Sequence, residues 1–484
     1  MSLSPRLPPE LWCMAWETMS FADRVSVSHV SRIWRQLSIH CPRLWTQLDF
    51  FSSVHGMECD CDPCSHAYAD PASLTKPPGA TNRSLIVEVA RRSGKLPLSL
   101  NMVVGPLCSD MNLLEDFAAD LHDIGAADRL VSLRVVFDDQ DALRCFLYNL
   151  RSLPVLRTIH TEALPVDFRR SLDAHAWHDN YIELPALQRM VLDCMCWKMK
   201  FNDEFIPVAL PSLESLVCEL DDPEEVSLAL DACPALHTLA VRVRPYDEAD
   251  TADDFDWRLD QDSHILRRLS QIRRIAVTGV TPASELWAVE NFSRPWQRDT
   301  ILHYDAIAPP LHGFTTLQQL GDLYALALSS THNHDSFICS VVSQAGFRRR
   351  LVFSATHWRV SMRRILENVP FTASLQVLQL PAGLLTLFLS QGFTLSGLHT
   401  LGISVRRAGD LVRPGLNLSG AVPSLLTVRL SATEASLLVA VELVTSLLLC
   451  LRGGDFLKNL ILEGVALEGD VTVLYTHVAN IATL

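Results

Sequence analysis

Cys59, Cys61, Cys64 and His66 are the residues of this 484-residue chain whose types and spacing come nearest to a metal site. Thiolates and imidazoles are the ligands zinc prefers, and Cys61 and Cys64 have the C-x-x-C spacing that grips one side of a tetrahedral ion. A structural site normally draws on two such pairs, and no second pair lies nearby. The cluster sits among Gly56, Pro63, Pro71, Pro77, Pro78 and Gly79, so it reads as a reduced surface loop that holds no structural metal. His332, Asn333, His334 and Asp335 offer ligand types again, but directly after a leucine-rich strand, where a solvated turn is expected. The acidic run from Asp247 to Asp256, with Glu248, Asp250, Asp253 and Asp254, reads as a solvated loop whose charge could select or repel partners.

Elsewhere the chain lacks a G-x-x-x-x-G-K-[ST] phosphate loop, a G-x-S-x-G elbow, an H-E-x-x-H helix and a dinucleotide fingerprint. No catalytic, cofactor-binding or metal-binding residue is assigned, and the chain is expected not to be an enzyme. Hydrophobic residues make up 48% and charged residues 20%, enough apolar material for folded domains and too little charge for disorder. A net charge of -14 argues against nucleic acid as a general partner, since phosphate binding needs clustered cations to release counterions. The local basic run Arg348 to Arg350 does not overturn that expectation.

The 13 cysteines are odd in number, and several sit in apolar runs (Cys145, Cys194, Cys218, Cys233, Cys339, Cys450), as expected of thiols in a reducing compartment. The opening MSLSPRLPPELW lacks the charged start and apolar core of a secretory signal. A cytoplasmic or nuclear location is therefore expected. The longest apolar run, Ser436 to Leu451, falls short of the roughly 20 residues a membrane span needs and carries Glu442 at its middle. It reads as a buried helix, and no membrane partner is expected.

The elements that could position a function begin at the N-terminus. Pro8 and Pro9 punctuate the start of a first helix with Glu10 in its first turn, and Leu11, Met14, Ala15 and Met19 fall on one of its faces. Ser20 to Asp23 has the S-x-x-D form of a capping box opening a second helix. Val30, Ile33, Trp34 and Leu37 are spaced i, i+3, i+4, i+7 as the stripe of a third, opposite Ser31, Arg32 and Arg35, and Cys41-Pro42 ends it. A core below about 70 residues supplies only a few kcal/mol, so a bundle of this size is expected to need a partner.

The ordered set Leu7-Pro8-x-Glu10-Leu11, Asp23-x-Val25-x-Val27-x-x-Val30-Ser31, Trp34-Arg35-x-Leu37 and Leu44-Trp45 resembles the F-box motif, especially as found in fungal F-box proteins. Trp12 and Trp16 depart from it where smaller aliphatics are usual, as does Met19 where leucine is common. The resemblance implies that residues 1–50 dock on the Skp-type adaptor of an SCF (Skp, cullin, F-box) ubiquitin ligase and, through it, on a cullin. It implies adaptor-binding roles for Leu7, Pro8, Leu11, Val25, Val27 and Val30, and a bundle core of Ile33, Trp34, Leu37 and Trp45. Such an interface would set aliphatic anchors in a groove with charges at the rim.

Beyond a linker or insertion at residues 51–82, a short helix, a Ser93-Gly94 stop and the alternating Leu96, Leu98 and Leu100 open residues 83–484. There the pattern L-x-x-L-x-L recurs, with clear copies starting at Leu130, Leu156, Leu187, Leu213, Leu236, Ile272, Leu323, Leu375, Leu398, Leu425 and Leu457 and degenerate ones around Ile301 and Leu351. The second and third apolar positions should alternate inward on a short strand, with the first packed under the turn before it. Helices are expected at Asp141 to Leu150, Pro223 to Ala232, His264 to Leu269 and Thr433 to Leu451. The expected fold class is thus α/β, a three-helix bundle followed by an irregular leucine-rich-repeat-like solenoid with parallel strands inside and helices outside. The expected function is a substrate receptor binding an unknown protein target through the repeats; the alternative is a repeat scaffold outside ubiquitin transfer.

Overall fold

The computed structural model describes residues 8–52, 81–104, 111–137, 146–147, 149–163, 183–196, 200–201, 204–205, 210–220, 224–243, 263–282, 284–304, 310, 312–330, 336–354, 356, 360–361, 374–389, 394–411, 418–433, 436–451 and 456–484. Leu7, the Cys59 to His66 cluster, the acidic run from Asp247 and the His332 to Asp335 segment lie outside the described residues. The chain divides into two compact units, Met1–Leu239 and Ala240–Leu484.

The first unit opens with α1 (Pro9–Glu17), α2 (Phe21–Val30) and α3 (Arg32–Ile39), followed by a turn of 3-10 helix at Pro42–Trp45. Next come β1 (Gln47–Phe51), α4 (Arg83–Arg92), β2 (Leu98–Val103), α5 (Met111–Asp123), β3 (Leu130–Phe137), β4 (Thr158–Ala163), β5 (Arg189–Cys196), β6 (Ser215–Leu220) and α6 (Glu224–Ala232). Strands β1 to β6 pair in chain order, all parallel. The boundary expected at residue 50 falls inside β1. Leu48 and Phe50 of that strand are buried, and Phe50 stacks on Phe117 of α5 at 4.2 Å, so the bundle runs into the sheet without a break. Gly94, at φ 63°, ends α4 in a left-handed conformation that side chains resist, and this lets the chain reverse into β2.

Strand β7 (Thr238–Val243) contains the unit boundary. The second unit continues with α7 (Ser263–Gln271), β8 (Arg274–Val280), α8 (Glu285–Phe292), β9 (Asp299–Tyr304), β10 (Leu323–Ser330), β11 (Ser336–Ser343), β12 (Arg348–Ser354), β13 (Val377–Pro381) and α9 (Ala382–Leu389). It ends with β14 (Thr400–Val405), β15 (Thr427–Ala432), β16 (Leu437–Ala440), α10 (Val441–Leu451), β17 (Leu457–Glu463), β18 (Val465–Glu468) and β19 (Val478–Thr483). Its sheet runs β8, β9, β12, β11, β10, β13, β14, β15, β17, β19; every pairing is parallel except the two made by β11. Strands β16 and β18 pair separately.

All eleven clear copies of the leucine pattern lead into a strand, and the first apolar residue of each is buried, from Leu156 at 0% exposed to Leu425 at 8%. The second and third positions alternate inward as expected, with two irregularities: Leu192 is partly exposed, and Thr161 takes the third place, buried, with its hydroxyl donating to Val191 O at 3.4 Å. The copy around Ile301 is shifted by one residue, since Thr300, Leu302 and Tyr304 point inward on β9. The copy around Leu351 is β12, which lies parallel to β9 but antiparallel to β11. An antiparallel hairpin therefore interrupts the expected run of parallel strands, because alternation marks a strand without fixing its direction.

The helices expected near Pro223 and His264 are α6 and α7. The helix expected over Thr433 to Leu451 is corrected: Leu437–Ala440 is a strand, paired with Val465–Glu468, and the helix begins only at Val441. Ser436, at φ 54°, lies in the left-handed region and cannot continue a right-handed helix. Among the described residues no helix is long and apolar enough to cross a membrane.

Candidate functional site

The three N-terminal helices close on tryptophan. Trp12 and Trp16 of α1 and Trp34 of α3 form a triangle with ring centroids 5.9, 5.1 and 5.2 Å apart, all tilted. Such offset contacts add roughly 0.5–1.5 kcal/mol per pair beyond burial. The two residues that depart from the F-box pattern, Trp12 and Trp16, thus form two corners of the interior. Trp45 is fully buried and its indole Nε1 donates to Ser38 O at 2.7 Å, which fastens the 3-10 turn under α3. Arg24 of α2, 3% exposed, donates from Nη1 to Leu44 O at 2.7 Å and from Nη2 to Gln47 O at 3.2 Å. Burial lowers its affinity for the proton and the nearby Asp49 opposes that. This arginine joins α2 to the start of β1, and spacing alone gives no sign of it.

Outside, the same helices stay apolar. Leu11 is 47% exposed, Met14 61%, Val30 64% and Ile33 57%, with Met19 and Ile39 also open. The face of α1 read from Leu11, Met14, Ala15 and Met19 is therefore the outward one, and Trp16 takes the inward side. A helix apolar on both sides is a signal, present in the sequence, that both sides are to be covered.

The expected site residues separate under this geometry. Pro8, Leu11 and Val30 are exposed, and Val25 is half-buried. Val27, expected at the adaptor, is 9% exposed and shares the inward face of α2 with Phe21, Arg24 and Ser28, at helical spacings. Of the expected core, Trp45 is buried and Trp34 and Leu37 are partly so. Ile33, expected with them, is corrected to the exterior. The stripe counts from Val30, but Val30 ends α2, Ser31 is extended at φ -154°, and α3 begins at Arg32. The break resets the helical phase, so Val30 and Ile33 do not share an inward stripe.

Both helix starts are capped by serine. Ser20 Oγ accepts from Asp23 N at 3.2 Å and donates to Asp23 Oδ2 at 2.7 Å, while Ser31 Oγ accepts from Trp34 N at 3.1 Å. The first is the expected box with its carboxylate turned onto the serine hydroxyl; the second is new, since Ser31 reads in the sequence only as a polar position. Burial, followed by Cys41, pushes the Cys13 thiol up to about 12, which keeps it protonated at neutral pH and unreactive. Among the described residues no group of three or more His, Cys, Asp or Glu could hold a metal ion.

A model of the F-box domain matches residues 4–46, a stretch that includes the three helices and the 3-10 turn. The match supports an F-box protein. F-box domains bind Skp1-type adaptors in SCF complexes, and the match at residues 4–46 supports a role as an F-box adaptor of SCF ligases in general. No curated protein matches the chain.

Proposed function

We propose that this chain is the substrate-recognition subunit of an SCF-type ubiquitin ligase, non-catalytic itself and working in the cytoplasm or nucleus. Its bundle docks on the Skp-type adaptor, and its remaining strands, read as a leucine-rich-repeat-like surface, bind a protein target. The observation that carries the reading is the outward aliphatic set Leu11, Met14, Val30 and Ile33 on helices whose inner side is already filled by tryptophan. Such anchors gain about 25 cal/mol per Å² when a partner removes them from water. Pro8, exposed, and Val25, half-buried, are read as further adaptor contacts.

The test is co-purification of adaptor and cullin with the full chain. Val30→Asp and Ile33→Asp place a charge where an anchor is needed and should abolish capture of both while the protein keeps its thermal midpoint. Val27→Asp should act differently, lowering the midpoint itself, because it buries a charge inside the bundle. Capture unaffected by Val30→Asp and Ile33→Asp would reject the docking role. Adaptor retained without cullin would favour a scaffold outside ubiquitin transfer.

A further inference from the structure

In a chain of net charge -14, one part of the second unit is basic. Three neighbouring parallel strands, β8, β9 and β12, begin at arginines: Arg273 and Arg274 at the first, Arg298 at the second, Arg348 at the third, all exposed. Backbone bonds hold these starts side by side, since Asp299 N donates to Arg273 O at 3.1 Å and Arg348 N to Arg298 O at 2.7 Å. The register sets Arg274, Asp299 and Arg348 in one row, and Arg350 two residues further along β12. Asp299 is the acid within the row, and its contact with Arg274 is loose at 3.9 Å. Among the described residues Arg273, Arg298, Arg348 and Arg350 have no acidic partner.

The patch is also braced from beneath. Arg349, 1% exposed, turns its guanidinium inward and donates from Nη2 to Arg294 O at 2.6 Å and from Nη1 to Gln297 O at 2.7 Å and Arg348 O at 3.0 Å. The buried Gln297 amide donates to Ile272 O at 2.5 Å. Two buried polar side chains thus bind together the three segments that carry the exposed arginines. Burial lowers Arg349 to about 10, so it remains charged at neutral pH and adds to the local field. Trp296, 43% exposed, stands at the margin with Arg294 5.4 Å from its ring centroid.

We propose that this patch is a docking surface for a carboxylate-rich, extended peptide segment of a protein partner. Adjacent strand starts lie about 4.8 Å apart, and alternate residues of one strand about 6.6 Å; an extended peptide presents same-side carboxylates at the second of these spacings. Guanidinium forks pair with carboxylates through two parallel bonds. The strongly negative total charge disfavours a long polyanion, whose field extends past the patch, whereas a short acidic segment meets chiefly the local cations. The proposal deepens the receptor reading above and rests on it for the partner being a target.

The test uses the full chain with its adaptor and a fluorescent peptide of alternating Glu and Ser, read by anisotropy against a Lys/Ser peptide and a single-stranded oligonucleotide. The Glu peptide should bind and weaken with salt. Arg273→Ala, Arg298→Ala and Arg348→Ala combined should weaken it roughly ten-fold or more, while Arg134→Ala, an exposed arginine of the first unit, leaves it unchanged. Equal binding by the triple variant, no binding of the Glu peptide, or tighter arginine-dependent binding of the oligonucleotide would each overturn the proposal. Adaptor co-purification, followed in parallel, reports separately on the docking bundle: its loss would reject the receptor reading while the anisotropy still decides the patch.

Discussion

Ile33 and Leu401 are both aliphatic residues in regular elements, yet Ile33 is 57% exposed and Leu401 is fully buried. The difference lies in what each region has to lean on. Along β13, β14, β15 and β17, Leu378, Leu401, Val428 and Leu460 stand in register on adjacent parallel strands, each buried. Every strand extends its neighbour's apolar row, so the sheet supplies its own partner. The bundle has three short helices and one tryptophan triangle between them. Among the described residues nothing covers its second apolar side.

The largest expected effect separates the two regions directly. Leu401→Ala removes a side chain from a row with no room to collapse and should destabilise the chain by about 2–5 kcal/mol, whereas Ile33→Ala should stay within about 0.5 kcal/mol. Denaturant titration of both variants in the absence of adaptor measures the contrast. Comparable losses would show that Ile33 already packs against something in the free chain, and the comparison would break.

A second test sharpens the picture of the sheet region as tightly closed. Glu285 Oε1 accepts from Tyr304 Oη at 3.0 Å, His312 N at 2.9 Å and Gly313 N at 2.7 Å, in a site where both side chains are buried. Burial and the carboxylate raise Tyr304 well above its ordinary value, so it stays a donor across the physiological range. A Cβ on Gly313 would lie 2.1 Å from Tyr304 Oη. Gly313→Ala should therefore cost about 1–3 kcal/mol through overpacking. Tyr304→Phe removes the clashing oxygen, so the double variant should be less destabilised than the sum of the two singles. Strict additivity would mean that the hydroxyl does not set the glycine requirement.

Much of the sheet was readable because the pattern has a fixed grammar. A leucine under the turn and two alternating positions on the strand leave the same trace whatever the partner strand. Leu213, Leu216 and Cys218, all buried, show that even a thiol fits the third place. What failed was what alternation does not encode. The direction of β11 depends on its pairing, and the strand at Leu437–Ala440 depends on a distant partner, Val465–Glu468. At the N-terminal bundle the motif order was legible, but the side each residue faces was not. For Val30 and Ile33 the break at Ser31 decides it.

Ser31 also carries the smallest expected effect, and the one that bears most closely on how the bundle's exterior is made. Its extended backbone ends α2 at Val30, and its hydroxyl accepts from Trp34 N at 3.1 Å to begin α3. Serine suits both tasks because its oxygen competes for the backbone amide that a continuing helix would use. Ser31→Ala keeps the size but loses the acceptor, so α3 should lose about 1 kcal/mol of capping, and Ser31→Asp should restore most of it with an added favourable charge at the helix start. If the break only connects two helices, adaptor affinity should follow stability and barely change in the native chain. If instead the break orients Val30 against Ile33 for a common partner, Ser31→Ala should weaken adaptor binding beyond its effect on folding, and Ser31→Asp should recover it. Thermal melts and adaptor titrations on the same three proteins distinguish these outcomes. Adaptor affinity identical in all three would reduce Ser31 to a stabilising cap and leave the outward placement of Ile33 to α3 alone.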